Sequence, residues 1–242
     1  MNVRIWRRDV GCRWIVFLSV WIGAAGGLKA RVIDDFNLGP YFLVGANATV
    51  NQTQTGLNPD HVLGGSRFIS FRSFTIPPST LTVAGAAGTL SVTPGGCCTY
   101  LTMRYGDTSN PLNVNLRDDG NDRFVVTFAG LTSDISLSLP SIGVIDNQGH
   151  FANILSQFAV QPVAPFSMTI PYSQFTNIDW TNIRSIEIAV SRYGGGTGGP
   201  GKSFSLDSIV TVPEPAGFSL SVIAAAVSAL PIARHRRIGK AG

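Results

Sequence analysis

The sequence predicts an all-β protein built from two stacked sheets, and three observations carry that prediction. Between Arg31 and Val212 the apolar residues recur with period two, in short runs broken by Gly, Pro, Asn and Asp, which is the pattern of half-buried strands. Strong helix formers are scarce, with Glu present only at Glu187 and Glu214. Charged residues make up 13% of the chain, and Ser, Thr, Asn, Gln and Gly carry the polar load, a usage common in secreted β-proteins. A length of 242 residues allows one large core.

Taken in order, strands are expected at Arg67 to Phe74 and Thr89 to Thr93. Leu101, Met103 and Tyr105 then alternate with Tyr100, Thr102 and Arg104. Leu112, Val114 and Leu116 alternate with Asn113, Asn115 and Arg117, and Phe124, Val126 and Phe128 follow the turn residues Asp118 to Asp122, so this pair reads as a hairpin. Further strands are expected at Asp134 to Leu139, Phe166 to Ile170, Arg184 to Ser191 and Phe204 to Val210. Helical periodicity beyond a couple of turns is confined to the neighbourhood of Phe151 to Phe158. Short strands with one polar and one apolar face each imply two packed sheets.

The two ends read as addresses. Four arginines in residues 1–13, the uncharged run Trp14 to Ile22 and the small-residue boundary ending at Ala30 form the three regions of a secretory signal, so residues 1–30 are expected to be a signal peptide that engages the secretion translocon. Residues 212–242 begin Val212-Pro213-Glu214-Pro215, continue as an uncharged stretch from Ala216 to Ala233, and end in Arg234, His235, Arg236 and Arg237. The prolines disfavour helix and ladder, the apolar stretch is long enough for a single transmembrane helix, and the arginines hold its end on the cytoplasmic side. With both ends set aside, residues 31–212 hold nine Lys or Arg against twelve Asp or Glu, a net charge of 9 − 12 = −3. That balance argues against a nucleic-acid partner, which requires clustered cations on the folded part.

The tripeptide Pro213-Glu214-Pro215, the apolar span and the basic cluster Arg234, Arg236 and Arg237 together resemble a PEP-CTERM sorting tail. The resemblance implies processing by an exosortase, membrane attachment through the tail before processing, and residence at the cell envelope, outer surface or extracellular matrix. Residues 31–211 carry a second resemblance. An opening Val32-Ile33-Asp34-Asp35-Phe36, the segment Ile178-Asp179-Trp180-Thr181-Asn182-Ile183 and a closing Leu206-Asp207-Ser208-Ile209 look like the galactose-binding-like jelly rolls of carbohydrate-binding modules. This resemblance implies a two-sheet jelly-roll β-sandwich. It also implies a structural calcium tying the first strand to the last, with Asp34 or Asp35 and Asp207 as oxygen donors.

No nucleophile or zinc-protease motif occurs in the sequence, and the paired carboxylates Asp34-Asp35 and Asp118-Asp119 read as opposite-facing strand residues and turn formers. No catalytic residue is assigned. Cys97 and Cys98, the cysteines left after signal removal, are open to a vicinal disulfide, an intermolecular disulfide or the reduced state. Trp180 is expected in the core, Glu187 on a solvated strand face, and sugar-contacting residues are not identified. The expectation is an exported, exosortase-sorted envelope or matrix protein that binds exopolysaccharide through its sandwich. A glycan-processing enzyme and a purely structural surface protein are the alternatives.

Overall fold

Burial alternates along the chain as the period-two pattern requires, and it closes the apolar faces into one core. A computed structural model describes residues 29–74, 78–84, 87–95, 98–131, 137–155, 164–193 and 203–213. Among these residues two antiparallel sheets face each other. The first runs, in spatial order, β11 (Phe166–Pro171), β8 (Asn121–Leu131), β13 (Phe204–Pro213), β6 (Thr89–Thr93), β5 (Ser79–Ala84) and β2 (Tyr41–Gly45), and β1 (Arg31–Asp34) also pairs with β13. The second runs β10 (Phe151–Leu155), β9 (Leu137–Asp146), β12 (Ile183–Tyr193), β7 (Cys98–Tyr105), β4 (Arg67–Ser73) and β3 (Ala48–Gln54). The only helical elements among the described residues are 3-10 turns of three residues each. This is the all-β two-sheet sandwich that the alternation predicts.

Leu81, Val83, Leu90, Val92, Phe124, Val126 and Phe128 point inward from the first sheet, and Ile69, Phe71, Leu101, Met103, Ile186 and Ile188 from the second. Each such side chain contributes about 1.5–3 kcal/mol when fully buried. Trp180 is in the core as expected. Its ring stacks on Tyr172 at 3.8 Å and 7°, and Phe124 and Phe175 close around it edge-on or tilted. The turn formers also behave as read: Asp119 adopts a left-handed φ of 60°, and Asp118 accepts hydrogen bonds from Arg31 and Asn115.

The structure corrects several element assignments. Residues 112–116 form no strand and no hairpin with β8, because Pro111 withholds a donor and Asn113 turns left-handed at φ 50°. The segment instead lies against the start of β12 through an isolated Val114–Ile183 bridge, with Leu116 buried beneath it. Residues 151–155 are a strand rather than a helix: Phe151, Asn153 and Leu155 are exposed while Ala152 and Ile154 pack on the core. Strand β9 continues to Asp146, beyond its expected end at Leu139, and residues 132–136 at the start of that assignment lie outside the described residues. Strand β13 reaches Pro213, so the first residue of the Pro-Glu-Pro motif closes the last strand. A strand terminus tolerates proline because no onward ladder bond is required there. The unexpected β3 is exposed along most of both faces, with only Val50 and Gln54 half-buried, so it shows no apolar alternation to read. The remainder of the tail, the glycine-rich residues 194–201 and residues 1–28 lie outside the described residues.

Candidate functional site

The outer face of the six-stranded sheet is where the sequence and the register combine into a shaped surface. Inward Arg67, Ile69 and Phe71 alternate on β4 with outward Phe68, Ser70 and Arg72, and inward Leu101 and Met103 alternate on β7 with outward Tyr100, Thr102 and Arg104. Strand register then sets these residues in rows that cross the strands. Ser70 lies opposite Thr102, Thr102 opposite Ala189, and Ala189 opposite Ser141. The neighbouring row on one side reads Phe68, Arg104, Glu187, Gly143. On the other side stand Arg72 and Tyr100. A row of small side chains is thus flanked by large ones, which makes a trough perpendicular to the strands. Four strands at about 4.8 Å spacing give the row a span of roughly 14 Å, closed at β10 by the exposed Leu155 opposite Ser141.

Two hollows adjoin the Phe68–Arg104–Glu187 bank of the trough on the side near residues 105–110, and they share Arg104 and Asp107. One, of about 330 Å³, is bounded by Thr53, Gly65, Ser66 and Phe68; the other, of about 270 Å³, by Gly143, Phe151, Arg184 and Glu187. Phe151 is 63% exposed at the far strand β10. Its ring lies over Gly143, where an added Cβ would come within 3.3 Å of it, so the glycine makes room for the aromatic wall. The guanidinium of Arg104 sits 4.8 Å from the Phe68 ring centre and that of Arg72 sits 4.2 Å from Phe74. At these distances each cation is attracted by the face of its ring. In the loop, Asp107 accepts hydrogen bonds from the Ser109 and Asn110 amides, and those bonds hold its carboxyl below the ordinary range.

Beneath the first hollow lies a buried polar cluster. Arg67 donates to both oxygens of Asp34 at 2.8 and 2.7 Å, to Gln54 Oε1 at 2.7 Å and to the Leu38 carbonyl at 2.7 Å. Tyr105 donates to Asp34 at 2.9 Å, and all three charged or phenolic side chains are fully buried. Burial pushes the Asp34 carboxyl up against the pull of Arg67, and burial beside Asp34 pushes the Tyr105 phenol well up.

The residues expected to hold calcium do not form one donor set. Asp34 is occupied by Arg67, Tyr105 and the Phe36 amide; Asp35 is paired with His61 at 2.6 Å; Asp207 is exposed on β13 beside Ser208. β1 does pair with β13, as the tie between first and last strands requires, but Asp34 faces the core and Asp207 faces solvent. No cluster of three His, Cys, Asp or Glu stands together among the described residues. Cys98 opens β7, and Cys97 lies outside the described residues together with Glu214, Pro215, Arg234, Arg236 and Arg237.

A second acidic residue organises the same strand end farther along the sheet, at the end of β9. Asp146, fully buried, accepts hydrogen bonds from the amides of Gln148, His150 and Asp179 and pairs with His150 Nδ1 at 2.8 Å. Burial works against its charge, but the Asp179 amide, the His150 ring and the His150 amide outweigh it and bring the carboxyl down to about 2. The folded value lies below the unfolded one, so the ionised group adds stability above pH ~4 that is lost as the pH falls toward 2, on the order of 2 kcal/mol. Asp146→Asn is expected to lower stability at neutral pH and flatten the acid limb between pH 4 and 2. Urea titrations across that range check it, and an acid limb unchanged from the parent counts against the assignment.

Comparison with known proteins adds the following. No known protein-family model matches the chain, and no curated protein matches it. Among solved structures the chain is similar to carbohydrate-binding modules. One is the family 11 module from Clostridium thermocellum in complex with a β-1,3-1,4-mixed-linked tetrasaccharide, at 15% identity over 76% of this chain and 95% of that one, with a TM-score of 0.31. The solution structure of CtCBM11 gives 14% identity over 78% and 98%, with a TM-score of 0.36. A Clostridium perfringens module, CpGH89CBM32-4, in complex with GlcNAc-α-1,4-galactose, gives 10% identity over 77% and 99%, with a TM-score of 0.29. At these values the likeness goes no further than strand architecture, and the functional reading rests on the surface of this chain.

The trough was partly written in the sequence. Tyr100, Thr102 and Arg104 read as the polar side of one strand, and Glu187 as a solvated position. The cross-strand register that aligns Ser70, Thr102, Ala189 and Ser141 into one row has no sequence signal. Nor does the inward turn of Arg67, which reads only as the first residue of a strand.

Proposed function

We propose that this protein binds a polysaccharide chain laid across the outer face of the six-stranded sheet. The single observation that carries the reading is the row of small residues Ser70, Thr102, Ala189 and Ser141 between walls that bear Phe68, Tyr100 and Phe151. An extended glycan presents flat apolar ring faces and a dense rim of hydroxyls. Exposed aromatics beside arginine, amide and carboxylate groups suit both. Affinity electrophoresis in gels containing soluble polysaccharides tests the reading. Phe68→Ala and Phe151→Ala are each expected to weaken retardation roughly ten-fold, at about 1–3 kcal/mol per stacked ring by analogy with base stacking. Parent-like retardation of both variants would sink it.

We further propose that the protein is exported through its first thirty residues and sorted by an exosortase at Pro213-Glu214-Pro215, to act in the envelope or extracellular matrix. The support is the order of signal, motif, apolar span and basic cluster in the sequence. Cleavage beyond Pro213 would leave β13 whole. Intact-mass measurement of protein recovered from the producing cells is expected to show loss of residues 1–30 and an end near residue 213. A full-length mass there would count against both steps.

A further inference from the structure

We infer that the polysaccharide taken by this trough is anionic, a chain carrying carboxylate or sulfate groups, with Arg104 and Arg72 as its anchoring cations. The inference rests on the trough reading above and adds the chemistry of the ligand to it.

The observation is where the arginines without an ion pair gather. Residues 31–212 hold nine cations against twelve acids, and three arginines form an ion pair with a carboxylate among the described residues. Arg31 pairs with Asp118 at 3.2 Å, Arg67 with Asp34 at 2.7 Å and Arg123 with Asp122 at 2.7 Å. The trough face gathers three of the arginines that do not. Arg72, Arg104 and Arg184 form no ion pair among the described residues, and two of them rest on phenylalanine rings instead. The acids on this face form no ion pair with them, although Asp107 lies near enough for Arg104 to help hold its carboxyl down. Asp107 is turned back onto the Ser109 and Asn110 amides, and Glu187, directly across from Arg104 in the ladder, forms no ion pair with it.

A guanidinium stacked on an aromatic ring keeps its edge N–H groups free in a planar fork. That fork matches the two oxygens of a carboxylate or sulfate ester better than it matches a single hydroxyl. Arg104 borders both hollows and so meets a chain passing through either. Arg72 stands on the other bank beside Tyr100. Neutral glycans would leave both forks to water. An acidic glycan supplies the partner that the fold withholds.

The test uses full-length protein titrated with polygalacturonate, its carboxyl-reduced neutral derivative, chondroitin sulfate, a neutral mixed-linkage β-glucan and a duplex DNA fragment. Polygalacturonate or chondroitin sulfate is expected to bind at least about ten-fold tighter than the neutral chains, with affinity falling as NaCl rises. Arg104→Gln removes that preference, while Arg104→Lys, which keeps charge without the fork, retains part of it. Polygalacturonate carries carboxylate alone and chondroitin sulfate carries both groups, so their ratio shows what sulfate adds, and preference for either over the neutral chains supports the inference. Equal binding of acidic and neutral chains, or indifference to Arg104→Gln, overturns the inference; the trough reading then stands if Phe68→Ala and Phe151→Ala still weaken binding. Binding of no polysaccharide overturns both. DNA bound as tightly, with the same dependence on Arg104, overturns the glycan assignment. Unchanged melting temperatures of the Arg104 variants exclude misfolding as the cause of any loss.

Discussion

Arg67→Met is expected to destabilise the protein by about 3–5 kcal/mol, the usual consequence of stranding one charge of a buried pair. Arg67, Asp34 and Tyr105 are all fully buried, and Arg67 also satisfies Gln54 and the carbonyls of Leu38 and Gly39. Removing the guanidinium leaves the Asp34 carboxylate with one phenol and one amide in an apolar setting, and it frees the loop between β1 and β2. For a domain of this size the loss corresponds to a fall of roughly 10 °C in melting temperature. The double variant Arg67→Met with Asp34→Leu is expected to regain most of that loss, because an apolar pair of similar volume avoids the desolvation penalty. Differential scanning fluorimetry of the parent, both single variants and the double closes the cycle. Additive losses would show that the cluster is not a coupled unit.

Trp180→Ala is expected to cost a similar amount, about 3–5 kcal/mol, through a different mechanism. Here the loss is packing: the indole stacks on Tyr172, meets Phe175 at 88° and 5.3 Å, and lies 6.0 Å from Phe124, so truncation empties the centre of an aromatic cluster. Trp180→Phe keeps the stack on Tyr172 and is expected to retain most of the stability. Urea midpoints followed by far-ultraviolet circular dichroism distinguish the two. An alanine variant as stable as the phenylalanine one would mean that the ring is not a packing centre. Because Trp180 is only 5% exposed, neither variant is expected to change polysaccharide affinity in the folded protein.

The two predictions also mark what was legible in the sequence. Trp180 reads as core because a lone large aromatic at a sheet corner is expected to pack inward, and the structure places it there. The strands with one apolar face, such as β4, β6 and β12, are likewise visible as alternating residues. The element assignments that failed did so where local pattern and backbone chemistry disagree. Leu112, Val114 and Leu116 alternate like a strand, yet Pro111 and the left-handed Asn113 divert the chain into a cap. Residues 151–155 look helical over a short window because Phe151 and Leu155 recur at spacing four, a distance that period two also satisfies. Asp34 shows why the site was harder still. An Asp-Asp pair at a strand end looks available to a cation, and only the long-range approach of Arg67, 33 residues later in the chain, shows that its charge is already matched. The trough is likewise a product of register among distant strands, which no single stretch of sequence encodes.

The order of strands has one more consequence, and it concerns time. The centre of each sheet is made by the end of the described chain: β12 lies between β9 and β7, and β13 lies between β8 and β6 while also holding β1. Until residues 183–213 are available, each sheet exists only as two separate halves, and the first strand has no partner. A chain synthesised or threaded from its N-terminus therefore cannot close either sheet, or complete the trough, before its last two strands arrive. Closure then depends on pairings between residues far apart in sequence, which fold slowly. Both sheets thus stay open until almost the whole described chain has been made.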